Sequence, residues 1–137
     1  NPGVDPNRLV VGQRICVPQV APPPVTPRTC SVTLLSRAPL IAPAAGGAMW
    51  LRTDQFGTTQ LLVAAANLPE PAIGAEPYRA LVSWPGGTVN IPLTPATGMQ
   101  GVWVGTVTVS LPQVAFTSGA VDVFPGPVLG AFIRDCN

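Results

Sequence analysis

Eighteen prolines scattered through 137 residues restrict the fold of this chain more than any other feature. A proline inside a helix removes a backbone donor and clashes with the preceding turn, so long helices have no room here. Between the prolines lie short runs rich in β-branched and aromatic residues and bounded by Pro and Gly, the pattern of strands and turns. Such runs fall at 30–37, 47–53, 58–66, 77–84, 87–93, 100–110, 120–124 and 128–135. In the sixth, Trp103, Val107 and Val109 share one face and Val102, Val104, Thr106 and Thr108 the other. The turn residues Pro85-Gly86-Gly87 make a hairpin of 77–93. The run Thr58–Ala66 is compatible with a helix as well, because Leu and Ala propagate helices. Neighbours of similar length at regular spacing favour a strand. The expected fold is all-β, an immunoglobulin-like β-sandwich of about seven to eight strands with an extended N-terminal arm.

Two regions differ in texture. Residues 1–29 form the arm, which ends in Val20-Ala21-Pro22-Pro23-Pro24-Val25-Thr26-Pro27, a run that favours extended polyproline II and acts as a semi-rigid spacer. Residues 30–137 form the β domain. Only 9% of residues are charged, against a typical ~25%, while 47% are hydrophobic, which excludes a disordered chain. A net charge of +1 spread along the sequence gives no concentrated basic patch, so nucleic acid is not an expected partner. No apolar run approaches the ~18–20 residues of a spanning helix, so no membrane span is expected. A surface so poor in charge fits either cover by a partner or solvation by Ser, Thr, Asn, Gln and Pro.

The chain has no His, and all of its basic residues are Arg. Without His or Lys the common nucleophile–base arrangements cannot be built. The six carboxylates, Asp5, Asp54, Glu70, Glu76, Asp122 and Asp135, have no spacing that suggests a catalytic pair or a calcium loop and read as surface charge. Catalytic residues, metal ligands and cofactors are therefore all expected to be none. The pairs Gly46-Gly47 and Gly86-Gly87 are expected in turns. Trp50, Trp84 and Trp103 offer either a sugar-stacking platform or core, and core is the commoner fate of a large aromatic in a strand. Cys16, Cys30 and Cys136 form no zinc pattern. Cys30 opens the first body strand and Cys136 closes the last, so antiparallel pairing would bring them within range of an intrachain disulfide. Cys16 is then left free or bonded to another subunit. The alternative is a local Cys16–Cys30 bridge with Cys136 facing outward.

The arm carries a more specific pattern. Asn1-Pro2-Gly3 and Leu9-x-Val11-Gly12-Gln13-x-Ile15-x-Val17-Pro18 resemble the second half of a LysM domain. That resemblance implies the last strand of a βααβ unit that binds N-acetylglucosamine glycans, with Pro2, Gly3, Val4 and Asp5 as the residual LysM loop. Peptidoglycan or a chitin-type glycan is then an expected partner where a complete LysM lies upstream. In cysteine-bearing LysM modules the partner of Cys16 would also lie upstream. In the body, Leu62-Val63-Ala64-Ala65-Ala66-Asn67-Leu68-Pro69, Tyr78-x-x-Leu81-Val82-x-Trp84, Gly101-x-Trp103-x-Gly105 and Val121-Asp122-Val123-Phe124-Pro125-Gly126-Pro127 resemble extracytoplasmic immunoglobulin-like β domains of bacteria, such as the outer domain of anti-sigma-K factors. That second resemblance implies a fold and transfers no site residues.

An arm strand built from Arg8, Leu9, Val10, Val11, Ile15, Cys16 and Val17 needs a sheet for its backbone donors. Addition to the sheet edge of another copy would supply one, and a head-to-tail contact that does not close propagates into a filament. The expected function is a non-enzymatic structural subunit of an extracellular or spore/cell-surface polymer. It would assemble with other copies of itself through the arm and an intersubunit disulfide, outside a Gram-positive-type bacterium or on a spore. The alternative is a monomeric, cell-wall-associated binding module appended to a LysM peptidoglycan-binding protein.

Overall fold

The computed structural model describes residues 26–134 and Cys136. The arm positions Pro2, Gly3, Val4, Asp5, Arg8, Leu9, Val10, Val11, Ile15, Cys16 and Val17 lie outside the described residues. In chain order the elements are β1 (Arg28–Ser36), β2 (Gly46–Thr53), β3 (Thr58–Ala66), β4 (Arg79–Trp84), β5 (Gly87–Pro92), β6 (Thr94–Pro95), β7 (Trp103–Ser110), α1 (Gln113–Ser118), β8 (Gly119–Phe124) and β9 (Leu129–Ile133). The fold is all-β, and the ambiguous run Thr58–Ala66 is strand β3. β1 starts at Arg28, two residues before the expected domain boundary at Cys30.

All strands join one antiparallel sheet in the order β5-β4-β8-β9-β1-β2-β3-β7-β6. Its two ends are neighbours in sequence, because Leu93 alone separates β5 from β6. The sheet therefore bends round until β5 lies against β7. Gly105 of β7 records the approach: a Cβ there would run into the carbonyl of Pro92 and lie 3.1 Å from Ile91 Cγ2. A sheet bent this far has one inside, and alternation along each strand fills it. Met49 and Leu51 of β2, Leu61 and Val63 of β3, Val82 of β4 and Val121 of β8 are fully buried in a single cluster. At about 25 cal/mol per Å² of apolar surface buried, this core is the main stabilising term of the domain. Thr53 and Thr59 are buried with it, and they satisfy each other through a 3.0 Å hydroxyl–hydroxyl bond between paired strands.

Three local features depart from expectation. Gly46 and Gly47 lie in β2 rather than in a turn, and Gly47 sits where a Cβ would strike the Ala64 carbonyl of the adjacent strand. The glycine is there for close backbone approach, not for a turn conformation. Residues 113–118, which fall between the expected strands 100–110 and 120–124, form the short helix α1, which buries Ala115 and Phe116. The long run 100–110 pairs as a strand only from Trp103, because residues 96–102 form the turn that brings β6 back along β7.

Cys30 and Cys136 form a disulfide with their Cα atoms 5.6 Å apart, the first of the two pairings open in the sequence. β1 and β9 pair at Leu35↔Gly130 and Ser36↔Leu129, and the disulfide joins the same two segments at their far end. Arg28 reinforces that junction. Its guanidinium lies 4.7 Å from the centroid of the Phe116 ring, donates to Gln113 Oε1 at 3.0 Å and reaches the Cys136 carbonyl at 3.4 Å.

Candidate functional site

The outer face of β1, β2, β3 and β7 follows from the same alternation that fills the core. With Met49 and Leu51 inward, Trp50 and Arg52 must face out; with Leu61 and Val63 inward, Gln60 and Leu62 must do the same. Strand register then lines these residues up. One row across the four strands reads Ser31, Trp50, Leu62 and Thr106, and the next reads Thr29, Arg52, Gln60 and Thr108. All of them but Ser31 line an open depression of about 480 Å³. A smaller one of about 220 Å³ shares Arg52 and Gln60 and continues to Asp54 and Thr58. The two make one open groove along the β2–β3 hairpin.

Its chemistry changes along its length. The floor at one end is apolar, with Trp50 43% and Leu62 39% exposed. The middle is planar and polar, supplied by Arg52 and Gln60, and takes no part in an ion pair among the described residues. At the other end Asp54 shapes the hairpin turn: its Oδ1 accepts from the amides of Phe56 at 2.8 Å and Thr58 at 3.0 Å. Its second carboxylate oxygen remains as an acceptor.

Trp50 departs from the core expectation. Trp84 and Trp103 are partly buried and pack against the core, Trp103 in an edge-on contact with Tyr78 at 5.0 Å between centroids. Trp84 lies across Gly87, where a Cβ would come within 2.7 Å of its ring. Tyr78 donates to the Pro69 carbonyl at 2.8 Å, and burial pushes the pKa of its hydroxyl up. Of the carboxylates, Asp54 faces the groove and Asp122 pairs with Arg37 at 3.3 Å. Gly130 makes room for that ion pair, and the guanidinium groups of Arg37 and Arg134 lie 5.5 and 5.0 Å from the centroid of the Phe132 ring. Asp135 and Asp5 lie outside the described residues. Among the described residues no three His, Cys, Asp or Glu gather as a metal site, and no helix is long and apolar enough to cross a membrane.

A second exposed apolar region occupies the loops at one end of the sheet, where Leu40, Ile41, Ile73 and Met99 project into solvent. Glu70 and Gln100 line a depression of about 440 Å³ beside Met99 there, but the groove alone sets an exposed indole beside its hydrogen-bonding walls.

Residues 26–127 match the model of a protein family described as YoqH, SPbeta prophage-derived uncharacterized protein YoqH. The matched span covers β1 to β8 with α1. No curated protein and no solved structure matches the chain.

Proposed function

The chain belongs to the YoqH family, and on that premise we propose that residues 26–136 are a non-catalytic binding module of an extracytoplasmic, cell-wall-associated protein. The observation that carries this reading is the groove on the outer face, where an exposed indole stands beside guanidinium, amide and hydroxyl groups that take no part in an ion pair or side-chain hydrogen bond among the described residues. Two features support the location. A disulfide spanning 106 residues persists in an oxidising compartment and not in a reducing cytosol. The resemblance of residues 1–18 to the second half of a LysM domain supports the same location. We read the bent sheet as a sandwich in cross-section, with β5-β4-β8-β9 facing β1-β2-β3-β7-β6 and β9–β1 pairing as the hinge between layers. This layered reading keeps the immunoglobulin-like expectation.

The polymer subunit is the second reading, and one observation favours it. With Cys30 and Cys136 joined, Cys16 is the cysteine outside the pair. Strand addition also needs an acceptor edge, and here the sheet ends in β5 and in the two-residue, proline-bearing β6. The short, proline-bearing β6 discourages such pairing, whereas β5 runs for six residues, so it is the exposed indole and polar walls of the groove that rank the binding module first.

Co-sedimentation of the full chain with isolated Gram-positive cell walls tests the reading. Saturable binding that persists in moderate salt is the expected result. Protein left wholly in the supernatant would overturn it. Filaments by electron microscopy, with a ladder on non-reducing gels that collapses on reduction, would favour the polymer instead.

A further inference from the structure

We propose that the β2–β3 groove binds an uncharged polysaccharide of pyranose rings, with Trp50 as the stacking platform. The proposal rests on the reading of the domain as a wall-associated binding module and names the ligand class of that site. A pyranose has an apolar C–H face and a rim of hydroxyls, and the groove presents the complement of each. The indole of Trp50, widened by Leu62 on the paired strand, offers a flat apolar surface in a position where a large aromatic is rarely left in water. One row further along, Arg52 supplies a planar array of donors and Gln60 supplies both donors and an acceptor. Thr29 and Thr108 close the row with hydroxyls that donate or accept.

Charge and shape narrow the ligand further. Arg52 and Asp54 together leave the groove with no net charge, so nothing selects a polyanion or a cation. Trp50, Arg52 and Asp54 occupy successive outward positions, which spread over roughly 13 Å at about 3.3 Å per residue. The groove is shallow and open, the form that suits a chain lying across the surface rather than a small molecule enclosed on all sides. Four paired strands hold the floor, so little ordering opposes binding.

The test is isothermal titration of the full chain with two soluble probes, the β-1,4-linked hexamers of N-acetylglucosamine and of glucose. The wild type is compared with Trp50→Ala, Arg52→Ala and the control Phe132→Ala, an exposed aromatic outside the groove. Unchanged urea midpoints establish that each variant folds. The expected result is binding of at least one hexamer, weakened about tenfold or more by Trp50→Ala and by a smaller factor by Arg52→Ala, and untouched by Phe132→Ala. Equal affinity in wild type and Trp50→Ala overturns the groove, whatever the walls do. Wild-type chain that sediments with walls but binds neither hexamer also overturns it and leaves the binding-module reading in place. A dimer that Trp50→Ala dissociates, with no hexamer bound, assigns the face to a second copy and overturns the glycan proposal. Failure to sediment with walls at all sinks the underlying reading instead.

Discussion

Replacing Cys30 and Cys136 together by alanine removes a crosslink that encloses nearly the whole folded domain. The loop it closes spans 106 residues. In the chain-entropy model a loop of that length restricts the unfolded ensemble by about 16 cal/mol/K, or about 4.8 kcal/mol at room temperature. The measured loss is expected below that ceiling, at about 3–4 kcal/mol, because residual structure in the unfolded chain shrinks the entropic gain. Cys136 is buried, so alanine avoids stranding a polar group there and confines the effect to the crosslink. For a domain of this size, about 1 kcal/mol corresponds to roughly 4 °C in melting temperature, so the double variant should melt roughly 12–16 °C below the oxidised wild type. Urea unfolding of the wild type with and without reductant, beside the double variant, measures the term in two independent ways. The reduced wild type and the variant should agree closely. A loss under about 1 kcal/mol in both would mean that the ends of the domain are held together as well without the bond, contrary to this expectation.

Three further outcomes follow from individual contacts. Thr59→Val leaves the buried Thr53 hydroxyl without a partner and should cost about 1–3 kcal/mol in urea unfolding, whereas Thr53→Val with Thr59→Val should recover most of the loss. Gly105→Ala pushes a methyl group into the Pro92 carbonyl and should destabilise by about 1–3 kcal/mol; a neutral result would show that β5 does not close against β7. Tyr78 is the one tyrosine of the chain, so an absorbance titration reports it alone. Burial raises its pKa above 10.0 in the fold, so its contribution to stability is fully present below that value and is lost as pH rises through the folded pKa. Ionisation that coincides with unfolding, at a midpoint above that of free tyrosine, is the expected trace.

The strands were legible because their signals are local. β-branched runs between Pro and Gly located every strand except the two-residue β6, and the turn residues Pro85 and Gly86 located the β4–β5 hairpin. The order of strands was not legible, because pairing such as β3 with β7 or β8 with β4 depends on contacts distant in sequence. The cysteines were the exception, since their positions at the two ends of the domain tied β1 to the chain after β9. Trp50 was missed for a specific reason. Met49-Trp50-Leu51 and Leu61-Leu62-Val63 are apolar at both parities, so alternation alone cannot tell inside from outside. The signal lay one step away, in Arg52 and Gln60, which share a parity with Trp50 and Leu62 and cannot face a core without a partner. α1 is too short to show a helical period, and only its brackets, Pro112 and Gly119, marked it. Gly47 shows the limit of reading glycine as a turn signal, since a close strand contact demands it equally.

The redox state of the protein where it acts separates an extracytoplasmic module from a cytosolic one. Cells producing the native chain are treated with an alkylating agent before lysis and separated into wall, medium and cytosolic fractions, and the cysteine peptides are identified by mass spectrometry. The chain is expected in the wall or medium fraction with Cys30 and Cys136 joined and unalkylated. A cytosolic chain with both thiols alkylated would contradict it.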